Sequence, residues 1–553
     1  MNETALFDFA GPQHMLIAPI LIPVIAGALM LFYEDRQRQS KLGISLVACV
    51  LMLVVSVDLL LRSKGTGPSG GNLIGLYVLG DWPTPFGINL VLDRLSALML
   101  VLASLLSIPA LVYASAGWHG RGQHFHSLFM FLLMGVNGAF LTGDFFNLFV
   151  FFEVMLAASY GLMLHGSGAE RVKAGFHYIA VNLVASLFFL IGIALIYGVV
   201  GTLNMADLAQ RMPGISDQDR PLVHAALAIL GIAFLVKAGI WPLCFWLPSA
   251  YQMASPPSAA MFAILTKVGV YVILRLGFLA FAPGSGPSAG FGAEVLFVGG
   301  IATMAFGSAG ILGSQAMSRM AGYAVLISSG TLVAVIALAM QDGGVPILGA
   351  ALYYMVASTL GISAFFLLVE LAERGQGAVA AMLALSADLY GAPDEEPEEE
   401  VTGLTLPATM TILSICFAAL AVLLAGLPPL PGFLGKVMML SSLLQGGQGG
   451  TTASWVFFAV LILSGLATLI ALVRVGVQTF WAGDDEGPRV MAIEIVPIAA
   501  LVLMVLVLTW QSRPVMRYME ATASALHRPQ VYIDGVITAE RTVDQREEEA
   551  ASE

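Results

Sequence analysis

Apolar residues run along this chain in long blocks broken by short polar connections. About fourteen blocks are long enough to cross the hydrocarbon core of a bilayer, which takes roughly 20 helical residues each. Their spans are 13–33, 41–62, 93–116, 126–143, 145–165, 174–200, 222–254, 257–281, 291–313, 319–340, 345–372, 405–445, 453–481 and 491–511, with ends placed to about 2–4 residues. Two connections are longer: 63–92, rich in Gly and Pro, and 373–404, which holds an acidic run. Residues 512–553 read as a polar tail with at most one amphipathic turn or helix. The pattern predicts an all-α polytopic membrane protein with no sizeable water-soluble domain.

Two blocks are too long for one span and carry internal breakers. The seventh contains Lys237-Ala-Gly239-Ile-Trp-Pro242, and the twelfth contains Gly426-Leu-Pro428-Pro429-Leu-Pro431-Gly432-Phe-Leu-Gly-Lys436. Proline removes a helix donor and clashes with the preceding turn, so both helices should be interrupted. Irregular backbone at membrane depth survives only where protein or a wet cavity receives it. Interruptions in corresponding segments of two halves point to inverted repeats around an ion path. The breaks lie five segments apart, which relates segments 4–8 to 9–13. An odd repeat length gives the copies opposite orientations. The expected division is 1–125 (segments 1–3), 126–282 (first repeat), 283–481 (second repeat, with the acidic insertion 373–404), 482–511 (segment 14) and 512–553 (tail).

Composition agrees. Of 553 residues, 58% are hydrophobic and 11% charged, against about 25% charged in soluble proteins. The net charge of −12 gathers in the run Asp394 to Glu400 and in the Glu-rich C-terminus, which read as solvated segments and argue against nucleic acid or anionic lipid as partners. Cys49, Cys244 and Cys416 sit in apolar stretches without metal-ligand spacing, no phosphate-binding Gly-rich loop is present, and no metal or cofactor is expected. The acidic N-terminus lacks a cleavage motif, so the first block is expected to remain as a helix. Arg36, Arg38, Lys41, Arg171 and Lys173 favour termini outside the cytoplasm, against Arg62, Lys64, Arg513 and Arg517.

Four charges stand alone inside apolar blocks: Glu153, Lys237, Lys267 and Lys436. A charge at the bilayer centre costs about 2.5–3.5 kcal/mol on insertion scales, and intramembrane ionisable residues mark ion or proton paths. Burial works against the charged form, and a nearby opposite charge works for it. A lysine whose carboxylate partner can approach or withdraw is therefore a proton switch, favoured here over a static ion pair. For Glu153 the competing reading is a structural helix-to-helix hydrogen bond. Other polar groups have plainer readings beside functional ones. Asp144 fits an N-cap or a proton entry point. His177 and His126 fit structural hydrogen bonding or a shuttle. Arg171 and Lys173 fit orientation signals or tuning of Glu153. Arg275, two turns past Lys267 and nearer an interface, fits an anchor rather than a relay, and Arg474 a relay or a holder of the acidic loop 484–486.

The stretches Gly138 to Glu153, Val236 to Pro248 and Gly426 to Lys436 resemble the antiporter-like membrane subunits shared by respiratory complex I, membrane-bound hydrogenases and Mrp-type cation/proton antiporters. The likeness covers about residues 90–510. Gly201-Thr-Leu-Asn-Met-Ala-Asp-Leu and the overall length look most like the D-type subunit of the Mrp antiporters. The resemblance implies fourteen helices with two inverted five-helix repeats. It also implies a coupled pair at Glu153 and Lys237, a central lysine at Lys267 and a terminal one at Lys436. Some members carry a His near the position of Met261-Phe262, so here Lys267 must serve alone. The implied function is proton translocation in a multi-subunit Na+(K+)/H+ antiporter of the bacterial inner membrane, beside other membrane subunits including a larger paralogue. It is a secondary transporter rather than an enzyme. The alternatives are a proton-pumping subunit of a redox complex and a passive scaffold, and the cost of four buried charges weighs against the scaffold.

Overall fold

The computed structural model describes residues 15–34, 36–64, 74–340, 344–390, 408–445, 451–480 and 490–538, with side chains of the 345–390 helix described to Arg374. The acidic run and the loop 484–486 lie outside the described residues. The first helices are α1 (Ala18–Leu31) and α2 (Arg38–Arg62), followed by strands β1 (Gly75–Val78) and β2 (Asn89–Leu92). Next come α3 (Arg94–Ser115), α4 (Phe125–Leu141), α5 (Phe145–Met163), α6 (Ala169–Val200) and the short α7 (Met205–Arg211). The seventh and eighth blocks form α8 (Arg220–Ala238), α9 (Trp246–Met253) and α10 (Pro256–Leu279). The second half holds α11 (Ala293–Gly313), α12 (Met317–Ala339), α13 (Val345–Tyr390), α14 (Ala408–Ala425), α15 (Pro431–Gln445) and α16 (Thr452–Phe480). The chain closes with α17 (Ala492–Trp510), α18 (Ser512–Leu526) and α19 (Pro529–Ile537). Among the described residues, 11 helices are long and apolar enough to cross a membrane, and α1, α4 and Thr409–Ala425 are shorter apolar helices. The all-α, multi-pass reading holds.

Burial sorts these helices. The apolar windows of α10 and α12 are buried throughout and that of α13 nearly so, while α2, α6, α11, α16 and α17 keep much of their surface outward. The outward face of α6 carries Leu183, Val184, Leu187 and Ile191, which suits lipid or a neighbouring helix. A helix that is apolar all round belongs in a core or a bilayer. The two halves therefore meet along α10, α12 and α13.

Two segments depart from the sequence expectation. The Gly/Pro-rich connection 63–92 contains an antiparallel hairpin, with Gly75 opposite Leu92 and Val78 opposite Asn89. It continues into isolated bridges Leu90–Thr142 and Asp144–Asn204, so a small sheet closes one end of the α4–α5–α7 region. The polar tail holds two helices rather than at most one. In α18 the spacing of Met516, Met519, Ala523 and Leu526 makes one buried stripe. Those residues look scattered in a polar segment until they are set on a 3.6-residue period. The tail is pinned: Tyr518 donates to the Arg94 carbonyl at 2.8 Å, and His527 bonds the Ala339 carbonyl at 3.0 Å.

Beneath the tail lies a buried ion pair. Asp93 caps α3, exchanging hydrogen bonds with Ser96, and both its oxygens accept from Arg275 of α10 at 2.6 and 2.9 Å. The guanidinium also faces the Tyr532 ring of α19 at 5.0 Å. Arg275 is thus an anchor, buried rather than near a surface. Removing one partner of such a pair leaves an uncompensated buried charge at a cost of about 3–5 kcal/mol. Arg275→Met is expected to lower the thermal midpoint of the detergent-solubilised protein by many degrees. Adding Asp93→Asn, which keeps the cap, should restore much of the loss. A double variant no more stable than the single one would contradict this account.

Candidate functional site

The two interruptions sit beside lysines. Helix α8 ends at Ala238, Gly239 takes φ +70° and irregular turns run to Phe245, with Pro242 among them. Lys237 is the penultimate residue of α8, at the negative end of its dipole, where a cation is favoured. Its Nζ donates to Asn182 Oδ1 of α6 at 3.1 Å, and Asn182 in turn donates to the Tyr178 carbonyl at 2.8 Å. One turn further along α6, Ser186 donates to Oε1 of the half-buried Glu153 on α5. Glu153 and Lys237 are thus both held on α6, through residues four apart, and make no ion pair with each other within 4.0 Å. Helix α6 stands between them, offering an amide to the base and a hydroxyl to the acid.

Lys267 lies in the middle of α10 and is fully buried. Its ammonium donates to Ser328 Oγ at 2.9 Å and to Ser329 Oγ at 3.4 Å, both on α12. Ser328 is linked to Ser358 of α13 at 2.9 Å. Beyond these serines is a cavity with room for about one water, lined by Ser328, Tyr354, Ser358, Leu423, Gly432 and Thr468. On its far side is the second interruption. Helix α14 ends at Ala425, Gly426 takes φ +78°, Pro428 and Pro429 carry the turn, and α15 starts at Pro431 with Gly432 in its first turn. Lys436 of α15 reaches back to donate to the Ala425 carbonyl at 2.9 Å. That carbonyl is one of those a helix end leaves without an intrahelical partner.

The accessory candidates lie elsewhere. Asp144 is the N-cap of α5, accepting from the Asn147 N–H at 2.8 Å, about 13 Å along the helix from Glu153. Arg171 clamps the carbonyls of Met253 and His165 at 2.6 and 2.8 Å. Lys173 and His177 are exposed on α6, and the His177 ring tilts against Phe245. Arg474 donates to the Leu312 and Ser314 carbonyls at the end of α11. His126 bonds Ser45 and His119, each at 3.1 Å. Burial, then Arg38 and His165, hold the His119 imidazole below its usual pKa. The structure gives each of these groups a local partner or an exposed place, and none of these bonds reaches Lys237, Lys267 or Lys436.

A row of lysines on hydroxyl and carbonyl oxygens, threaded through two interrupted helices, can be compared with known proteins. The family model described as "NADH:quinone oxidoreductase/Mrp antiporter, TM" matches residues 142–466, a range that includes Glu153 and all three lysines. This chain belongs to that family. It is 53% identical, over 96% of its length and 99% of the relative's, to a probable K(+)/H(+) antiporter D-type subunit of Rhizobium meliloti. It is 32% identical, over 95% of its length and 99% of the relative's, to the Na(+)/H(+) antiporter D-type subunit of Alkalihalophilus pseudofirmus. A chain in the structure of the Mrp complex from Dietzia superposes with a TM-score of 0.79 at 26% identity, covering 95% of this chain and 99% of that one.

In this member of the Mrp antiporter family, sequence reading found the ionisable groups and missed their partners. Asn182, Ser186, Ser328, Ser329 and Ser358 gave no local signal beyond being polar in apolar blocks. The one available hint was spacing: Asn182 and Ser186 are four apart, which is one helical face. A hydrogen bond to a charged group is worth about 1.5–3 kcal/mol. Asn182→Leu, which strands the Lys237 ammonium, is therefore expected to lower the thermal midpoint measurably, while Lys173→Ala, on an exposed position, leaves it unchanged. Equal midpoints for the two variants would remove Asn182 from the site.

Proposed function

We propose that this chain is the proton-translocating membrane subunit of a multi-subunit monovalent cation/proton antiporter, moving protons laterally from Glu153 and Lys237 through Lys267 to Lys436. The observation that carries this reading is that the ammonium groups of Lys237, Lys267 and Lys436 rest on neutral oxygens: an amide, serine hydroxyls and a backbone carbonyl. A buried lysine locked to a carboxylate is held charged. A lysine on neutral oxygens can exchange its proton with a neighbour, because a hydroxyl both accepts and donates. Ser328, Ser358 and the small cavity supply such a route between Lys267 and the second interruption.

The finer architecture belongs to the same proposal. Fourteen spans are counted by joining α8 with α9 and α14 with α15. Residues 126–282 and 283–481 form two inverted five-helix repeats, preceded by 1–125 and followed by helix 482–511 and the tail 512–553. The five-segment separation of the interruptions supports the pairing. The protein would lie in the bacterial inner membrane, with both termini outside the cytoplasm, among other antiporter subunits including a larger paralogue. The named relatives are antiporter subunits, which favours exchange over a redox-linked pump. Potassium is the first cation to test, since the more similar relative bears its name.

In everted vesicles carrying the whole complex, Glu153→Ala and Lys237→Ala are each expected to abolish cation-driven dequenching of a pH-sensitive dye while the complex still assembles. Lys267→Ala and Lys436→Ala should do the same. Normal exchange by the first two variants would refute the path.

A further inference from the structure

Glycine in the interior of a regular helix costs about 1 kcal/mol relative to alanine, so one that persists has a packing or functional reason. Most glycines here have a plain one. Gly192 lets α6 approach Leu230 of α8, and Gly476 of α16 makes room for the Phe417 ring. Gly426 needs its positive φ. Gly465, buried in the middle of α16, is different. A Cβ there would meet the Ala425 carbonyl oxygen at 2.7 Å and Lys436 Nζ at 3.4 Å as its nearest neighbours. Among the described α-helical glycines it is the one whose missing side chain faces the ammonium of a buried lysine.

One turn along the same face of α16 is Thr468, whose Oγ1 donates to the Ser464 carbonyl at 2.8 Å and which lines the single-water cavity shared with Ser328 and Ser358. The Gly465–Thr468 face thus runs from the Lys436 ammonium to the space beside the serines that hold Lys267. The Ala425 carbonyl gives way only by moving the interrupted backbone that carries it. The ammonium, at 3.4 Å, is in ordinary contact and need not move, so the strain falls on the carbonyl that is its acceptor.

We propose that Gly465 is a positioning residue of the proton path, its missing Cβ keeping the Lys436 ammonium seated on the Ala425 carbonyl and next to the cavity leading to Lys267. The role rests on the proton-path reading above. A methyl group at this point forces the Ala425 carbonyl aside, which moves the acceptor away from the Lys436 ammonium and slows transfer between the last two lysines.

The test compares Gly465→Ala with Gly476→Ala in vesicles containing the full complex, with exchange measured across a pH series and expressed per assembled complex. Overpacking at a tight site supports an expectation of about fivefold or greater loss for Gly465→Ala, with its pH profile displaced by about half a unit because a partner of a titrating group is disturbed. Gly476→Ala, which crowds the Phe417 ring first, should keep the wild-type profile. A Gly465→Ala complex with wild-type rate and profile overturns the proposal, as does a loss of rate with no change of profile. If Gly465→Ala does not assemble, Thr468→Val, which adds no volume, takes its place. A slowed rate with a displaced profile supports the proposal, and wild-type behaviour overturns it. Lys436→Ala in the same vesicles separates the two layers. Full exchange there removes the proton path and the role of Gly465 with it. Lost exchange there, beside a wild-type Gly465→Ala, overturns the role of Gly465 alone.

Discussion

An ammonium group at membrane depth must find oxygen without finding water. That constraint organises the middle of this structure. Hydroxyl groups on packed helices are one supply, and Lys267 uses Ser328 and Ser329. Backbone carbonyls are the other, and a continuous helix keeps all of its own engaged. Interrupting the helix releases them. At the second interruption the released carbonyl of Ala425 is taken by Lys436. At the first, Lys237 sits in the last turn of α8 and adds the Asn182 amide. Both lysines thus occupy the negative end of a half-helix, one from within that half-helix and the other reaching back from the next.

The packing follows from the same demand. Helices α10 and α12 are enclosed on all sides, which shields Lys267 from lipid and leaves its solvation to the two serine hydroxyls of α12. Among the charges that do pair, Asp93 with Arg275 ties α3 to α10, and Arg374 with Glu370 and Glu494 ties α13 to α17. Charge therefore has two uses in this fold. Paired charges fix elements of the bundle to one another, and Lys237, Lys267 and Lys436 rest on neutral oxygens instead.

Much of this was legible in the sequence because the decisive residues are conspicuous against their surroundings. A lysine among leucines and two prolines beside a glycine need no partner to be noticed. Segment positions were legible for the same reason, since each block is bounded by a polar break. What could not be read depends on the third dimension. A serine in a membrane helix most often bonds its own backbone, as Ser107, Ser159 and Ser464 do, and nothing local separates these from Ser328. The hairpin at 75–92 was hidden because four-residue strands in a Gly/Pro-rich segment carry little pattern. The tail helices were hidden because their buried stripe is thin. Gly465 becomes informative only when what faces it is known.

The placement of Asn182 and Ser186 one turn apart on α6 has a mechanical consequence. A rigid helix cannot adjust its two contacts independently. Any rotation or slide of α6 that loosens Ser186 from Glu153 also shifts Asn182 against Lys237. The acid and the base are thus geared to one shaft, and that shaft has its opposite side on the outer surface of the bundle. Whatever lies against that side acts on both ends of the gear at once, without touching either charge.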